Sequence, residues 1–213
     1  MDKNIIDFVQ NTLDEDIGRG DLFANCARPK PATAHIIAKQ DGVLAGVKYA
    51  KALEKIAEVK IDFRVSDGEE IKKGDLIAVL SGMNTVLLSL ERTLLNTLQH
   101  ASGIATNANK YAKILQNSNI KMLDTRKTRP LLRVFEKYAS RCGGVVNHRM
   151  GLDDSLMLKD THLKTIDNLK EFVNNARSAI PFTTKIEIEC ETVDMAQTAL
   201  EAGAEIIMCD NMS

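Results

Sequence analysis

Apolar positions recur along this chain with two different periods, and the change from one to the other organises it. Ile6, Val9 and Leu13 stand at helical spacing and predict a helix over 3–15. The stretches ATAHIIA (32–38) and VKIDFRV (59–65) read as strands, with a helix between them over 47–57. DGEEIKKGD (67–75) is a turn-rich approach to a further strand, LIAVL (76–80). From residue 85 the pattern lengthens: Leu87, Leu90, Leu94 and Leu98 mark one face of a long helix. Gly103 is expected to interrupt that helix, with a second helical stretch running to Leu115.

Beyond Leu115 the rhythm becomes strand, loop, helix. KMLD (121–124), SLMLK (155–159), KIEIEC (185–190) and EIIMCD (205–210) read as strands. LLRVFEKYAS (131–140), TIDNLKEFVNNARSA (165–179) and TVDMAQTALEAG (192–203) read as the helices between them, the last closed by Gly203. Alternating βα units argue for a parallel sheet or barrel. The expected organisation is an N-terminal α/β domain over 1–104, carrying the long helix, and a βα domain over 105–213.

Composition narrows the function classes. With 213 residues, 44% apolar and 27% charged, the chain can build a real core. Its net charge of -1, 4% aromatics and lack of Trp argue against a nucleic-acid-binding module built on TRKTRPLLR as a basic patch. The N-terminus lacks an apolar signal core and no apolar run would cross a membrane, so a cytoplasmic protein is expected. Cys26, Cys142, Cys190 and Cys209 match no metal or redox spacing and read as reduced thiols, most of them packing residues.

Charge collects where the predicted strands end. KMLD runs into Arg126 and Lys127, SLML into Lys159 and Asp160, KIEIEC carries Glu187 and Glu189, and EIIMC ends at Asp210. In βα barrels the chemistry sits at the C-terminal ends of the strands, so these residues should converge on one mouth. A second basic cluster, His148 and Arg149, follows the pair Gly143–Gly144, which allows close backbone approach. Each residue also has a plainer reading. Lys159 could be a solvated loop residue, Glu189 a partner of Lys185 on the same strand face, and Asp210–Asn211 a simple turn. Taken jointly, Arg126, Lys127, Arg149 and Lys159 make an electropositive pocket for a polyanionic ligand, and the acids suit a cationic centre or Mg2+.

These segments carry a family resemblance. DTRKTRPLLRVFEKYASRCGGVVNHRMGLDDSLMLKDTHL (124–163) closely resembles the signature region of the quinolinate phosphoribosyltransferases, the carboxylating nicotinate-nucleotide pyrophosphorylases. ERTLLNTLQHASGIAT (91–106) and KIEIECETVDMAQTALEAGAEIIMCDN (185–211) resemble the flanking blocks, and the likeness begins at DEDIGRGDLF (14–23). The resemblance implies an α/β protein with an N-terminal α/β sandwich and an open α/β barrel. It implies phosphoribosyl transfer from phosphoribosyl pyrophosphate (PRPP) to quinolinate with decarboxylation, giving nicotinate mononucleotide, CO2 and pyrophosphate in de novo NAD biosynthesis. It also implies Mg2+ accompanying PRPP, and homodimers with shared active sites that in some members assemble into hexamers.

Residue by residue, it implies that Thr125, Arg126, His148 and Arg149 bind quinolinate. Lys127 and Lys159 would stand where quinolinate meets PRPP, Glu189 and Asp210 near the ribose and Mg2+, and Arg92 in the partner's site. Taking about 100° per residue, Arg92 lies off the leucine stripe and is free to point outward. Quinolinate has two adjacent carboxylates, for which two forked arginines make a clamp. Glu189 and Asp210 could stabilise positive charge developing on the ribose, and no dedicated general base is expected. The family's barrel has six strands where this chain offers about four, so the barrel is expected to be truncated after MCDN, without its last strands. The alternatives are a same-fold paralogue associated with molybdate transport, acting on a different acceptor, and an inactive fragment of the enzyme.

Overall fold

The computed structural model describes residues 3–212. Two compact units make up the chain, Met1–His148 and Arg149–Ser213.

The first unit opens with α1 (Lys3–Ile17) and a short α2 (Leu22–Cys26), started by Asp21, whose carboxylate accepts from the Phe23 and Ala24 amides. Then come β1 (Pro31–Ile37), β2 (Gly42–Val43), α3 (Val47–Ala50), α4 (Leu53–Ile56), β3 (Val59–Phe63), β4 (Glu70–Ile71) and β5 (Leu76–Met83). Strands β1, β5 and β3 form an antiparallel sheet in that order, and β2 pairs with β4. The helix expected over 47–57 is two short pieces. On α1 the buried face is Ile5, Val9 and Leu13, with Ile6 at its margin.

The long helix α5 runs from Asn84 to Leu115 without a break, so the interruption expected at Gly103 does not occur. A Cβ at Gly103 would meet nothing within 4 Å, which places the residue on an open face. One exposed glycine costs a helix about 1 kcal/mol. Burial of Leu87, Leu90, Leu94 and Leu98 at roughly 2 kcal/mol each outweighs it. The same stripe continues as Ala101, Ala105 and Ala108, small residues that let another segment come close. Helix α6 (Arg133–Cys142) packs there, and Phe135 stacks on Phe8 with ring centroids 5.2 Å apart.

The second unit contains β6 (Leu156–Leu158), α7 (Asp160–Leu163), α8 (Leu169–Ala179), β7 (Ile186–Cys190), α9 (Val193–Ala202) and β8 (Ile206–Cys209). Strands β6, β7 and β8 form one parallel sheet in sequence order. Asn168 and Thr192 cap α8 and α9, and Gly203 closes α9 in the left-handed region. Ile186, Ile188 and Cys190 alternate onto the face packed with Val173, Ala199 and Ala202.

The strand expected at 121–124 is not formed. Those residues make a single parallel bridge, Leu123 to Val146. With only Met122 and Leu123 apolar, and Leu123 half exposed, the segment has little to bury in a sheet. Of the four cysteines, only Cys190 is fully buried, Cys142 is half-buried, and Cys26 and Cys209 are exposed, so packing explains fewer of them than expected. No helix among the described residues is long and apolar enough to cross a membrane.

Candidate functional site

In the first unit, the bridge at Leu123 sets residues 122–124 parallel to 146–148. The Val146 amide donates to Met122 O at 2.9 Å, and the Asp124 amide to Val146 O at 3.1 Å. The approach to this bridge depends on Gly143 and Gly144. A Cβ at Gly143 would collide with the Ala105 carbonyl oxygen on α5 and lie 2.7 Å from Ala108 Cβ. Gly144 has φ +93°, a left-handed conformation that other residues adopt only with strain.

Two of the basic segments leave from this bridge. Thr125 Oγ1 accepts from the Lys127 amide at 3.0 Å, and the Thr128 amide donates to Arg126 O at 2.9 Å, which folds TRKT into a tight turn. The Arg126 Nε is buried and has no hydrogen-bond partner among the described residues. A buried, unsatisfied guanidinium donor is costly, and an acceptor such as a carboxylate is its natural complement. Lys127 is exposed and His148 half-buried. Arg129, which adds to the positive charge of this stretch, is engaged with Glu136 on α6, Nε to Oε1 at 2.6 Å.

Asp124, expected only to end a strand, organises these segments. Asp124 accepts from Lys137 Nζ at 2.5 Å, Asn147 Nδ2 at 2.6 Å, the His148 amide at 2.8 Å and Ser140 Oγ at 3.2 Å. Its only sequence signal was a carboxylate directly before a basic run. Arg92 lies in the same unit, exposed on α5 and off the buried leucine stripe.

In the second unit the parallel register aligns the predicted residues at the C-terminal edge of one sheet. Glu189 on β7 is level with Met208 on β8, and Cys190 with Cys209. Lys159 follows β6 directly, and Asp210 follows β8 with its amide donating to Cys190 O at 2.9 Å. By two-residue alternation Asp210 falls on the Glu189 side of the sheet. Lys159 Nζ donates to Glu189 Oε2 at 2.6 Å, so Glu189 pairs with Lys159 and not with Lys185, its neighbour on the same strand face. The Lys159 amide donates to His162 Nδ1 at 3.0 Å, fixing the strand-to-helix turn. Glu187, one alternation earlier, is buried within the sheet. Arg149 is nearly buried and donates from Nη1 to Ser155 O at 2.8 Å. Asn211 has φ +51° and donates to Asp210 Oδ2 at 3.1 Å, the turn expected for that pair.

No cluster of three or more His, Cys, Asp or Glu side chains suited to a metal ion occurs among the described residues. The available carboxylates are Glu189, already paired with Lys159, and Asp210. Such a pair fits Mg2+ only in the form in which the ion keeps waters and substrate phosphates and takes one or two protein carboxylates.

The comparisons with known proteins agree with one another. Family models described as the N-terminal and C-terminal domains of quinolinate phosphoribosyl transferase match residues 21–102 and 104–213. A probable nicotinate-nucleotide pyrophosphorylase (carboxylating) of Synechocystis is 38% identical over 212 residues, covering 98% of this chain and 72% of the relative. A protein of the same description from Bacillus subtilis is 40% identical over 200 residues, covering 92% of this chain and 69% of the relative. The solved nicotinate-nucleotide pyrophosphorylase of Francisella tularensis superposes with a TM-score of 0.93 at 34% identity, over 100% of this chain and 77% of its own. Sequence motifs, domain matches and fold together show that this chain belongs to the quinolinate phosphoribosyltransferase family, enzymes of the pentosyltransferase class.

Proposed function

We propose that this chain transfers the phosphoribosyl group of PRPP to the ring nitrogen of quinolinate and releases CO2, yielding nicotinate mononucleotide and pyrophosphate. The observation that carries the reading is the match of both family domains along one chain, in which the TRK and NHR segments stand intact. The buried, unpartnered Nε of Arg126 supports it, because a quinolinate carboxylate would satisfy that donor.

The roles follow from chemistry. Arg126, with Thr125 beside it, serves one carboxylate of quinolinate, and Arg149, preceded by His148, is the second forked cation. Lys127 and Lys159 attract the phosphates of PRPP. Glu189 and Asp210, on one side of the second unit's sheet, face the positive charge that develops on the ribose as pyrophosphate departs. Asp210 and Glu189 would be the protein carboxylates that hold the Mg2+ accompanying PRPP, and the ion would supply positive charge against the departing pyrophosphate. Holding two anionic substrates for in-line attack supplies much of the rate, and quaternisation of the ring nitrogen makes decarboxylation feasible without a general base. Arg92 would complete the site of a second subunit in a homodimer, the building unit for any hexamer. A cytoplasmic location accords with a substrate set of soluble metabolites.

Calorimetric titration with quinolinate, with nicotinate as control, tests the assignment. Binding of quinolinate in clear preference to nicotinate is the expected result. Equal or absent binding by folded protein would reject it in favour of a paralogue with another acceptor.

A further inference from the structure

The carboxylate of Asp124 is fully occupied. Oδ1 accepts from Lys137 Nζ at 2.5 Å and the His148 amide at 2.8 Å, and Oδ2 from Asn147 Nδ2 at 2.6 Å and Ser140 Oγ at 3.2 Å. The side chain of Lys137 is 1% exposed and that of Asp124 11%. Asn147 Nδ2 also donates to Lys137 O at 2.9 Å, a second tie between Asn147 and α6.

Such a pair is an inefficient way to stabilise a fold. Desolvating two charges costs about as much as their attraction returns, and apolar residues of similar volume often do as well or better. A carboxylate with four directed acceptor sites provides something apolar packing does not, namely orientation. Here two of its donors lie on α6 and two on 147–148, while Asp124 itself immediately precedes Thr125, Arg126 and Lys127. Among the described residues no regular sheet does the same job at this place, where the single Leu123–Val146 bridge stands.

We propose that Asp124, neutralised by Lys137, is a positioning residue for quinolinate binding: it holds the Thr125–Lys127 turn and the His148 backbone in fixed relation. The proposal rests on the quinolinate reading given above. Asp124 touches no reacting atom in this account; it acts through Arg126 and His148.

The test compares the whole chain with two variants. Asp124→Asn combined with Lys137→Met removes both charges together, so neither is left buried and unpaired. Asn147→Ala removes one donor and leaves the ion pair intact. Each protein is titrated with quinolinate and with PRPP and Mg2+, its urea midpoint is measured, and exchange of the His148 amide is followed. In the double variant the expected result is a urea midpoint near that of the parent, a quinolinate Kd raised at least tenfold, PRPP affinity within threefold, and at least tenfold faster His148 exchange. For Asn147→Ala a quinolinate Kd raised about threefold to tenfold is expected, and this variant decides the matter where the double variant does not fold. Parental quinolinate affinity in either folded variant overturns the proposal, as does an equal loss of quinolinate and PRPP binding, which would mark a general structural role. Failure of the parent chain itself to bind quinolinate would instead overturn the functional reading, and the proposal with it.

Discussion

The two sets of candidate residues are held by different physics. In the second unit, Lys159, Glu189 and Asp210 owe their places to a regular parallel sheet, in which register alone brings the ends of β6, β7 and β8 level. In the first unit, Arg126, Lys127 and His148 leave from a single bridge and depend on glycine contacts with α5 and on a buried carboxylate. A sheet spreads positional control over many backbone hydrogen bonds. A polar cluster concentrates it in a few side chains, so a single substitution should disturb the first set far more than the second.

Four substitutions or measurements would break or sharpen that contrast. The largest effect is expected from Arg149→Ala, the guanidinium that opens the second unit. Truncating a nearly buried, hydrogen-bonded cation should weaken quinolinate binding by about 2–5 kcal/mol, read by calorimetry. Unchanged affinity would reject its role as a carboxylate clamp. Next, Gly143→Ala drives a methyl into the α5 backbone and should cost roughly 2–3 kcal/mol in urea unfolding. A loss below about 1 kcal/mol would mean that the segment carrying His148 can shift at little cost, contrary to the picture of a tightly seated bridge.

Thr192→Ala removes a helix cap in the second unit, where Thr192 Oγ1 accepts from the Met195 amide at 3.2 Å. About 1 kcal/mol of stability should be lost, with quinolinate affinity unaltered, because the sheet register does not depend on that cap. A change in quinolinate affinity would contradict the separation of the two sets. The smallest effect concerns Cys142, at the end of α6. Burial, and then the charge of Asp67, push its thiol up to about 11. An ordinary thiol titrates near 8.5, so between these values the folded protein holds a proton that the unfolded chain has lost. The associated stability is complete below about 8.5 and is lost as pH rises through 11. Alkylation at pH 8 should therefore be slower at Cys142 than at exposed Cys26, with the difference shrinking above pH 10. Equal rates at pH 8 would show that α6 ends in an open environment.

Periodicity by itself determined most of the frame. The leucine stripe of α5, the helices α8 and α9 with their caps, and the strands β6 to β8 with charge at their ends are all legible as local patterns, because each element buries one face at a fixed spacing. Motif likeness identified the residues around which the chemistry is argued. What periodicity misjudged were places where local preference was overruled from a distance. Gly103 stays helical because the apolar residues before and after it are buried on one continuous stripe. KMLD makes only one bridge, to Val146, because Met122 and the half-exposed Leu123 are all it has to bury, and the Asp124 carboxylate turns instead to donors on α6 and 147–148. Which carboxylate takes which donor is a matter of contacts between residues remote in sequence, and neither spacing nor propensity encodes them. Only the tertiary structure therefore decided that Glu189 meets Lys159, that Arg129 is engaged with Glu136, and that Asp124 gathers Lys137, Ser140, Asn147 and His148.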